Sequence, residues 1–411
     1  MYSQLAWRNI WRNPRRTIVI MTAVIIGVFS MIFLCGLMRG MEVEMIRNNL
    51  ATLTGNIQIH QKGYRADPVV ENSMTDPVLL ENAIKTNLPE GAAWAMRVRV
   101  NAIVSNARHS TGVTFVGIDP AKEARVSFIG KAVTDGRYLN SDDTNKILIG
   151  RALLDKFKTK IGHKLIVMSQ DADDEIASTA FRIVGTFRAE MESTEKAYVF
   201  VTLSDAQKML KLKNGISEAA IAFKGQSIDG QKEKALAQKL KSRLPDSIYK
   251  VETWPELLPM MREYLSLFDN FIYIWYFVVF IAMGFGIVNT TLMAIFERMR
   301  EFGLLKALGM KPVSIIRGVI TESFFLLVSG IIIGNIAGII TVFLINRTGI
   351  DLSALAAGVE MWGMPRVIHP ELWIIDVITA NLVVLVLGLV VSIYPAAKAA
   401  RFTPIEALEK T

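Results

Sequence analysis

The residues of this sequence that could carry out chemistry are too scattered to predict an active site. Its four histidines lie far apart along the chain: His60, His109, His163 and His369. Without an H-E-x-x-H motif or a Cys/His cluster, a metal site has no support. Gly130 begins no nucleotide-binding loop, because Ala132 stands where that loop needs Ser or Thr. Isolated serines such as Ser105 lie outside any nucleophile-elbow pattern. We therefore predict no catalytic residue, metal or cofactor in this chain, and no enzyme.

Polar residues inside long apolar runs are the remaining candidates for function. Glu322 and Asp376 lie within or at the edge of such runs, and an intramembrane carboxylate is a functional candidate by default. Glu322 is near enough in sequence to pair with Arg317 or Lys311. Three amides occur one per run: Asn289, Asn335 and Asn381. Interhelical hydrogen bonds of this kind are worth roughly 0.6–2 kcal/mol. Helix packing explains the amides most simply, and a role in gating or dimerisation is the alternative.

Apolar runs predict the fold class. The chain has 411 residues, of which 51% are hydrophobic, and a mean hydropathy of +0.34. The apolar residues cluster at 17–38, 271–296, 323–345 and 377–397, and each run approaches or exceeds the roughly 20 residues that span a bilayer. We predict an α-helical integral membrane protein with four transmembrane helices. A large α+β extracytoplasmic domain is predicted between helices 1 and 2, where the chain is long enough to bury its own core.

The predicted boundaries follow from these runs and from the charges between them. A cytoplasmic amphipathic N-terminal helix is expected at 1–16. Transmembrane helices are expected at 17–40, 271–296, 318–345 and 374–397. The extracytoplasmic segments are the domain at 41–270 and a loop at 346–373. The cytoplasmic segments are a loop with a short amphipathic helix at 297–317 and a tail at 398–411.

The distribution of charge predicts the orientation. The net charge of +8 could suggest nucleic acid, but the basic residues flank the apolar runs. Those before the first run are Arg8, Arg12, Arg15 and Arg16, and those after the last are Lys398 and Arg401. The loop 297–317 holds five basic and two acidic residues. The positive-inside rule places these segments in the cytoplasm. We therefore expect an inner-membrane protein with both termini cytoplasmic, a periplasmic domain and no nucleic-acid partner.

The first run is interpreted as an uncleaved signal anchor. It is longer than a signal peptide's apolar region, and no A-x-A-like site follows it. Leu34 stands where a lipoprotein cleavage box needs a small residue. Cys35 is the only cysteine, so no intrachain disulfide can form. Trp7 and Trp11 beside arginines suit the headgroup layer.

The region 41–270 is predicted to be α+β. Strand-like segments lie at 56–60, 97–105, 112–118, 146–149, 164–168, 181–187 and 197–201. Helical patterns lie at 77–88, 152–158, 204–213 and 231–244. A helix from about 255 is expected to run into the second apolar run, and 40–50 to extend the first one outward.

Two sets of residues predict contacts within the membrane. Gly330, Gly334 and Gly338 recur every four residues, so another helix can approach that face closely, in this chain or another. The second set forms a candidate substrate cavity, lined by Phe29, Phe33, Leu37, Met41, Phe268, Ile272, Trp275 and Tyr276. Large adaptable side chains could hold an acyl chain or an apolar peptide, and ordinary lipid contact is the alternative.

Two motifs make the chain resemble a known family. The segment ERMREFGLLKALG at 297–309 is similar to the E-x-x-E-[IF]-G-x-x-[RK]-A-x-G signature of FtsX-like, MacB-type ABC transporter permeases, which are also called type VII or mechanotransmission transporters. Residues 394–408 resemble that family's C-terminal Y-P-A-x-x-A-x-x-x-x-P-x-E-A-L motif through Tyr394, Pro395, Ala396 and Glu406. The segments 147–162 and 184–201 look like parts of the family's outer domain. In length, in layout and in GNIQIH at 55–60, the chain looks most like the lipoprotein-releasing (Lol) permeases, although no long aromatic hook hairpin is evident.

The resemblance implies how the chain works. The segment 297–309 would contain a coupling helix that docks on a separate ABC ATPase dimer, and that ATPase would hold ATP and Mg²⁺. The residues implied in coupling are Glu297, Arg298, Glu301, Gly303, Lys306, Ala307 and Gly309. A half-transporter of four spans implies a second permease subunit, identical or homologous.

The cargo remains open at this stage. Extraction of lipoproteins or lipids from the outer leaflet is the first hypothesis, with membrane lipids and a periplasmic carrier or adaptor as further partners. Efflux of amphiphilic drugs or peptides through an envelope-spanning partner is the second. A permease without cargo that activates a cell-wall hydrolase is the third.

Overall fold

The computed structural model describes residues 7–8, 10–223, 230–352, 354 and 367–402. The chain divides into two compact units. The first contains residues 1–42, 264–351 and 367–411, and the second contains 43–263 and 352–366. Each unit is described by itself.

Four helices are long and apolar enough to cross a membrane. They are the first to fourth span helices: Pro14–Asn49, Pro259–Glu297, Pro312–Thr348 and Ile374–Arg401. Each is longer than its predicted span, because polar turns continue the helix at one or both ends. Pro14, Pro259 and Pro312 each begin a helix, where the missing N–H costs no helical hydrogen bond. Four transmembrane helices were expected, and four helices of sufficient length and apolar character are found among the described residues.

The span helices share one apolar core in the first unit. Val24, Val28 and Met31 of the first helix are buried with Ile272 of the second. Leu327 and Val384 bring the third and fourth helices into the same cluster. A short antiparallel pair, Ile350–Asp351 with Val367–Ile368, lies between the third and fourth helices in the chain. The bundle therefore has a single interior to which every span helix contributes.

The second unit is built on one ten-stranded sheet. Its strands are β1 Ile57–Gln61, β2 Ala92–Ser105, β3 Ser110–Ile118, β4 Val133–Gly136, β5 Lys146–Gly150, β6 Lys164–Gln170, β7 Ile176–Phe187, β8 Tyr198–Thr202, β9 Glu218–Phe223 and β10 Tyr249–Thr253. Helices in this unit are Val78–Asn87, Pro120–Glu123, Arg151–Lys156, Glu192–Ala197, Leu203–Met209, Gln231–Arg243 and Trp254–Leu257.

One half of the sheet is a split βαβ arrangement. Its strands lie in the order β10-β1-β9-β2, all antiparallel. The helix Val78–Asn87 connects β1 to β2, and Gln231–Arg243 connects β9 to β10, which is the ferredoxin-like connectivity. Ile57 and Ile59 of β1 pack with Leu80 and Leu240 of these helices. The alternation of β1 thus turns Ile57 and Ile59 towards the helices and Gln58 towards the other face.

The other half closes into a six-stranded barrel. β2 pairs with β3, β3 with β8, β8 with β5, β5 with β7, β7 with β6, and β6 returns to β2. Val98, Phe115, Phe181 and Val199 fill the apolar interior. The 14-residue β2 belongs to both halves, since residues 92–97 pair with β9 and residues 97–105 pair with β3.

A buried ion cluster fixes the segment that leads into β1. Arg97 is fully buried and donates to both carboxylate oxygens of Glu123, at 2.9 and 2.7 Å, and to Glu218 at 3.2 Å. It also donates to the carbonyl of Leu53, whose φ of 126° is unfavourable for a residue with a side chain. Burial alone would lower the pKa of Arg97, but the two carboxylates more than compensate and raise it. Arg97 therefore stays charged and holds Leu53 in place.

Candidate functional site

The signature segment forms a short connecting helix, Met299–Ala307, between the second and third span helices. Gly309 follows it with a φ of 90°, and its N–H donates to the carbonyl of Lys306 at 2.9 Å. A left-handed glycine is the usual way to end a helix. The third span helix begins three residues later. The turn at Gly309 is therefore tight, and it positions the connecting helix against the bundle.

One face of the connecting helix packs on the ends of the span helices. Met299, Phe302 and Gly303 are buried. Phe302 lies in an apolar cluster with Ile295, Ile315, Val319, Ala396 and Ala399, which come from the second, third and fourth span helices. The helix is thus part of the folded bundle.

The opposite face is exposed and apolar. Leu304 is 57% exposed and Leu308 is 76% exposed, and Val313 at the start of the third span helix is exposed as well. Arg300, Ala307 and Lys311 are also exposed. We call these six residues the connecting-helix face. Exposed apolar groups rimmed by basic side chains are typical of a protein interaction site.

A network of ion pairs ties the connecting helix to the first and third span helices. Glu322 is only 8% exposed and accepts from Arg16 and from Arg298, each at 3.0 Å. Arg298 also donates to Glu301 at 3.2 Å, and Arg12 contacts Glu301 at 2.6 Å. We call these five residues the inner ion network.

The expected partners of Glu322 were wrong. We expected Arg317 or Lys311, but the structure pairs Glu322 with Arg16 and Arg298. Five residues of α-helix turn about 140°, so Arg317 and Glu322 lie on different faces of the same helix. Arg317 is accordingly exposed while Glu322 faces the bundle.

Glu301 is electrostatically held in its charged form. Burial raises the pKa of Glu301, but hydrogen bonds from Arg298 and Arg12 more than compensate, so its pKa lies below the ordinary value. The network consequently contains three arginines and two carboxylates.

The remaining signature residues have separate positions. Glu297 is exposed at the end of the second span helix and lies 3.8 Å from Arg16. The Nζ of Lys306 donates to the carbonyls of Ala400 and Phe402, at 2.8 and 2.7 Å. A cation at these last carbonyls complements the C-terminal end of the fourth span helix. Of the seven signature residues, Arg298, Glu301, Gly303 and Lys306 thus contact the bundle, whereas Glu297, Ala307 and Gly309 are exposed.

The C-terminal motif lies partly outside the described residues. Tyr394 is exposed, while Pro395 and Ala396 are buried within the fourth span helix. Ala396 packs in the same cluster as Phe302. Glu406 lies beyond the described range.

The glycine stripe packs against the first span helix of this chain. A Cβ added at Gly330 would lie 2.7 Å from Val24, one at Gly334 would lie 2.8 Å from Val28, and one at Gly338 would lie 3.0 Å from Ile32. The sequence did not show whether the approaching helix belongs to this chain or to another. The structure shows that it is the first span helix of the same chain. Only glycine allows this contact along two turns of helix.

Among the three amides, two bond to each other. Asn335 donates to Asn381 at 2.8 Å, and Asn381 returns a bond at 3.1 Å. Asn289 is exposed. The reciprocal pair links the third and fourth span helices.

A second ion cluster occupies the opposite end of the bundle. Arg39 of the first span helix contacts Glu42 at 2.8 Å, Asp269 at 2.8 Å and Asp376 at 2.9 Å. Its guanidinium also lies 4.4 Å from the ring centre of Trp373. Asp376, which the sequence marked as a candidate, therefore joins the fourth span helix to the first.

The residues of the candidate cavity do not share one environment. Met41, Phe268, Ile272 and Tyr276 are buried, and Ile272 and Tyr276 belong to the bundle core beside Met31 and Cys35. Trp275 packs against that core. Phe29, Phe33 and Leu37 are half-buried, and the first two rings stack with centroids 5.9 Å apart. These positions match helix packing for five of the eight residues.

Several residues of the site were missed by sequence reasoning. Arg12 and Arg16 stand out in the sequence only as basic residues before the first apolar run, and no pattern singles out Arg39. Leu304 and Leu308 lie within the signature segment, where nothing in the motif distinguishes them. The amphipathic spacing of 299–308 is the signal that could have found the two leucines. Among the described residues, no cluster of His, Cys, Asp and Glu side chains is arranged to hold a metal ion.

Comparisons with known proteins agree with this architecture. Residues 17–242 match the profile of the MacB-like periplasmic core domain, and residues 273–404 match that of the FtsX-like permease C-terminal region. One relative is the lipoprotein-releasing system transmembrane protein LolC of Neisseria meningitidis, 22% identical over 95% of this chain and 93% of that protein. Another is LolE of Haemophilus influenzae, 20% identical over 98% of both chains.

Two further matches extend the comparison. The macrolide export ATP-binding/permease protein MacB of Chlorobium luteolum is 24% identical over 99% of this chain, which spans 60% of that protein's length. A crystal structure of the periplasmic region of MacB from Actinobacillus actinomycetemcomitans aligns with 53% of this chain at 13% identity, with a TM-score of 0.37.

Proposed function

We propose that this chain couples ATP hydrolysis by a separate ATPase dimer to movement on the far side of a bacterial inner membrane. The chain belongs to the FtsX-like, MacB-type permeases of ABC transporters and is close to the Lol permeases. The observation that carries the proposal is the connecting helix, which is anchored to three span helices on one face and exposes Leu304 and Leu308 on the other. ATP and Mg²⁺ would be held by the ATPase, and this chain would supply no catalytic residue.

The proposed orientation has both termini and the connecting-helix face in the cytoplasm. Its support is the concentration of basic residues in the segments that would face inward. The sheet unit would then be periplasmic, as the description of the matching core domain suggests.

Force would pass from the ATPase through the inner ion network. Glu301 and Arg298 move with the connecting helix, and Glu322 and Arg16 belong to the third and first span helices. Because Glu322 is largely buried, its bonds to two arginines are poorly screened and hold the elements together more firmly than surface pairs do. A displacement of the connecting helix would therefore move the first span helix, which continues to Asn49 and the start of the sheet unit.

The proposed assembly contains two permease subunits and two ATPase subunits. The second span helix exposes many large apolar side chains, including Phe271, Phe277 and Phe285. Lipid or the second permease subunit would cover this surface.

The proposed cargo is a lipoprotein or lipid that leaves the outer leaflet for a periplasmic carrier. Similarity to LolC and LolE over nearly their whole lengths supports it. Efflux of an amphiphilic drug or peptide is the second candidate, favoured by the match to the MacB protein named above.

Binding of the ATPase tests the proposal. The double variant Leu304→Asp/Leu308→Asp should lose the co-purifying ATPase and its substrate-stimulated activity, while its unfolding temperature stays within a few degrees of wild type. The control is Ile176→Asp, which places one such carboxylate on an exposed isoleucine of the sheet unit. Retention of the ATPase by the double variant would refute the docking role.

The orientation is tested separately. Leu308→Cys should react in intact cells only with a membrane-permeant maleimide, since an impermeant reagent cannot reach the cytoplasm. Native Cys35 is buried and gives little background. Labelling of Leu308→Cys by the impermeant reagent would exclude the proposed topology.

A further inference from the structure

A polar cavity of about 370 Å³ lies within the sheet unit. Its walls include Gln58 and His60 of β1, Arg99 and Asn101 of β2, Tyr198 of β8 and Glu218 of β9. All of its lining residues fall between Asn49 and Leu258, inside the second unit. Its size is that of a small-molecule site, and neither the candidate cavity nor the proposed coupling uses it.

Gln58 is a largely buried residue whose side chain lines this cavity. It is 7% exposed, and its side chain makes no hydrogen bond to any described residue. Its neighbour on the same face of β1, His60, is by contrast 2.8 Å from Glu252. Because its amide has no partner among the described residues, Gln58 is available to donate a hydrogen bond to a ligand in this cavity.

Arg99 offers unused hydrogen-bond donors to the same space. Its side chain is 33% exposed and donates no hydrogen bond to the described residues. The nearest carboxylate oxygen belongs to Glu218 and lies 3.6 Å away, and Glu218 is already bonded to Arg97. The Arg99 guanidinium is also 6.0 Å from the ring centre of Tyr198. The guanidinium is thus paired only loosely with Glu218 and keeps hydrogen-bond donors available for a ligand.

The surroundings of the cavity carry an excess of positive charge. Three carboxylates lie in the cavity wall or in the layer of side chains behind it: Glu123, Glu218 and Glu252. They face four permanent cations: Arg65, Arg97, Arg99 and Lys250. Glu252 alone is shared by Arg65, Lys250 and His60. An anionic ligand would balance this excess.

We propose that the cavity binds the phosphate group of a small polar molecule, with Arg99 as the principal ligand, Gln58 as a second donor and Arg65 at its edge. The guanidinium fork suits phosphate oxygens, which accept several hydrogen bonds at once. A bare phosphate would leave most of the volume empty, so hydroxyl or amide substituents next to the phosphate would fill the rest beside Asn101 and Thr114. A soluble phosphate ester and a phospholipid headgroup share this chemistry.

Binding to the full chain distinguishes the two sources. Glycerol 3-phosphate is titrated calorimetrically into the purified protein in a non-ionic detergent. In parallel, native mass spectrometry measures retention of phosphatidylglycerol and phosphatidylcholine from nanodiscs. A soluble ligand predicts saturable binding of one glycerol 3-phosphate per chain. A headgroup ligand predicts one retained phosphatidylglycerol and none of the zwitterionic lipid.

Three variants assign whichever ligand binds to the cavity. Arg99→Gln should weaken binding at least tenfold, and Gln58→Leu should weaken it several-fold. The matched control is Arg182→Gln, since Arg182, like Arg65, donates to a backbone carbonyl at the surface. It should leave binding unchanged.

Two results would overturn the proposal: absence of binding in both arms with wild-type protein, or equal binding by wild type, Arg99→Gln and Gln58→Leu. If Arg99→Gln loses its cooperative unfolding transition, Arg65→Gln replaces it, with an expected loss of three- to tenfold. No readout involves the ATPase, so the outcome is independent of the proposed coupling.

Discussion

Glu322 and Arg16 are 306 positions apart in the chain, yet their side chains meet at 3.0 Å inside the helical bundle. With Arg298 on its other oxygen, Glu322 connects three elements that no local sequence pattern would join. A carboxylate that pairs with two arginines while largely buried is costly to neutralise.

Neutralisation of Glu322 should destabilise the bundle and impair coupling. Glu322→Gln leaves Arg16 and Arg298 without their shared anion, and we expect a loss of about 1–3 kcal/mol. The measurement is the unfolding temperature in detergent together with ATPase activity in the reconstituted complex. Glu192→Gln, on an exposed glutamate, is the control. A double-mutant cycle with Arg298→Gln should show a clear interaction energy, and simple additivity would contradict the pairing.

A side chain in the glycine stripe should separate the first and third span helices. Gly334→Leu would force side-chain atoms onto Val28, and overpacking of this kind costs about 1–3 kcal/mol. Gly318→Leu is the control on the same helix, since no atom lies within 4 Å of its added Cβ. Folding yield and unfolding temperature report the effect. Val28→Ala should restore part of the stability lost in Gly334→Leu, and failure of that rescue would count against the contact.

Removal of the Lys306 amine should loosen the end of the fourth span helix. Lys306→Met retains length and helix propensity but cannot donate to the carbonyls of Ala400 and Phe402. Hydrogen exchange of residues 398–402 should become several-fold faster. The exposed Lys311→Met serves for comparison. If protection is unchanged, the two bonds contribute nothing to the helix end.

Acid should weaken the sheet unit through Asp143. Hydrogen bonds from Arg137 hold the pKa of Asp143 below its ordinary value, with a backbone bond from Asn140 assisting and burial opposing. A carboxyl whose pKa is lower in the folded state stabilises the fold above its unfolded pKa of about 3.9, and this contribution is lost as pH falls through the folded pKa. Asp143→Asn should therefore lower the unfolding temperature at pH 7 and flatten its decline below about pH 4.

The neighbouring exposed residue supplies the control for that experiment. Asp142→Asn removes the same charge one position earlier, where the side chain is exposed. Its pH dependence should follow wild type. Equal curves for Asp142→Asn and Asp143→Asn would show that net charge, and not the Arg137 pair, is responsible.

Sequence patterns predicted the features that depend only on residues near one another in the chain. Uninterrupted apolar runs predicted four membrane-spanning helices, because the length needed to cross hydrocarbon is fixed. Two signature motifs predicted the family, which the profile matches confirm. The spacing of Gly330, Gly334 and Gly338 predicted close helix approach, but only the folded structure shows that the partner is the first span helix.

Long-range pairings could not be predicted in the same way. Glu322 was matched to basic residues nearby in sequence, although helix geometry turns Arg317 to another face and places Lys311 about three turns away along the axis. The closure of the barrel depends on Ile103–Ser105 meeting Ile166–Met168, which alternation in either strand does not specify. Gln58 resembles any polar residue on a strand until its neighbours are known.

The strand β2 has a practical consequence for protein engineering. The strand runs without interruption through both the split βαβ half and the barrel, so no loop separates the two halves at this point. A chimaera that exchanges only one half with a relative would place its junction inside a hydrogen-bonded ladder, whereas a transplant bounded near residues 56 and 253 would carry both halves intact.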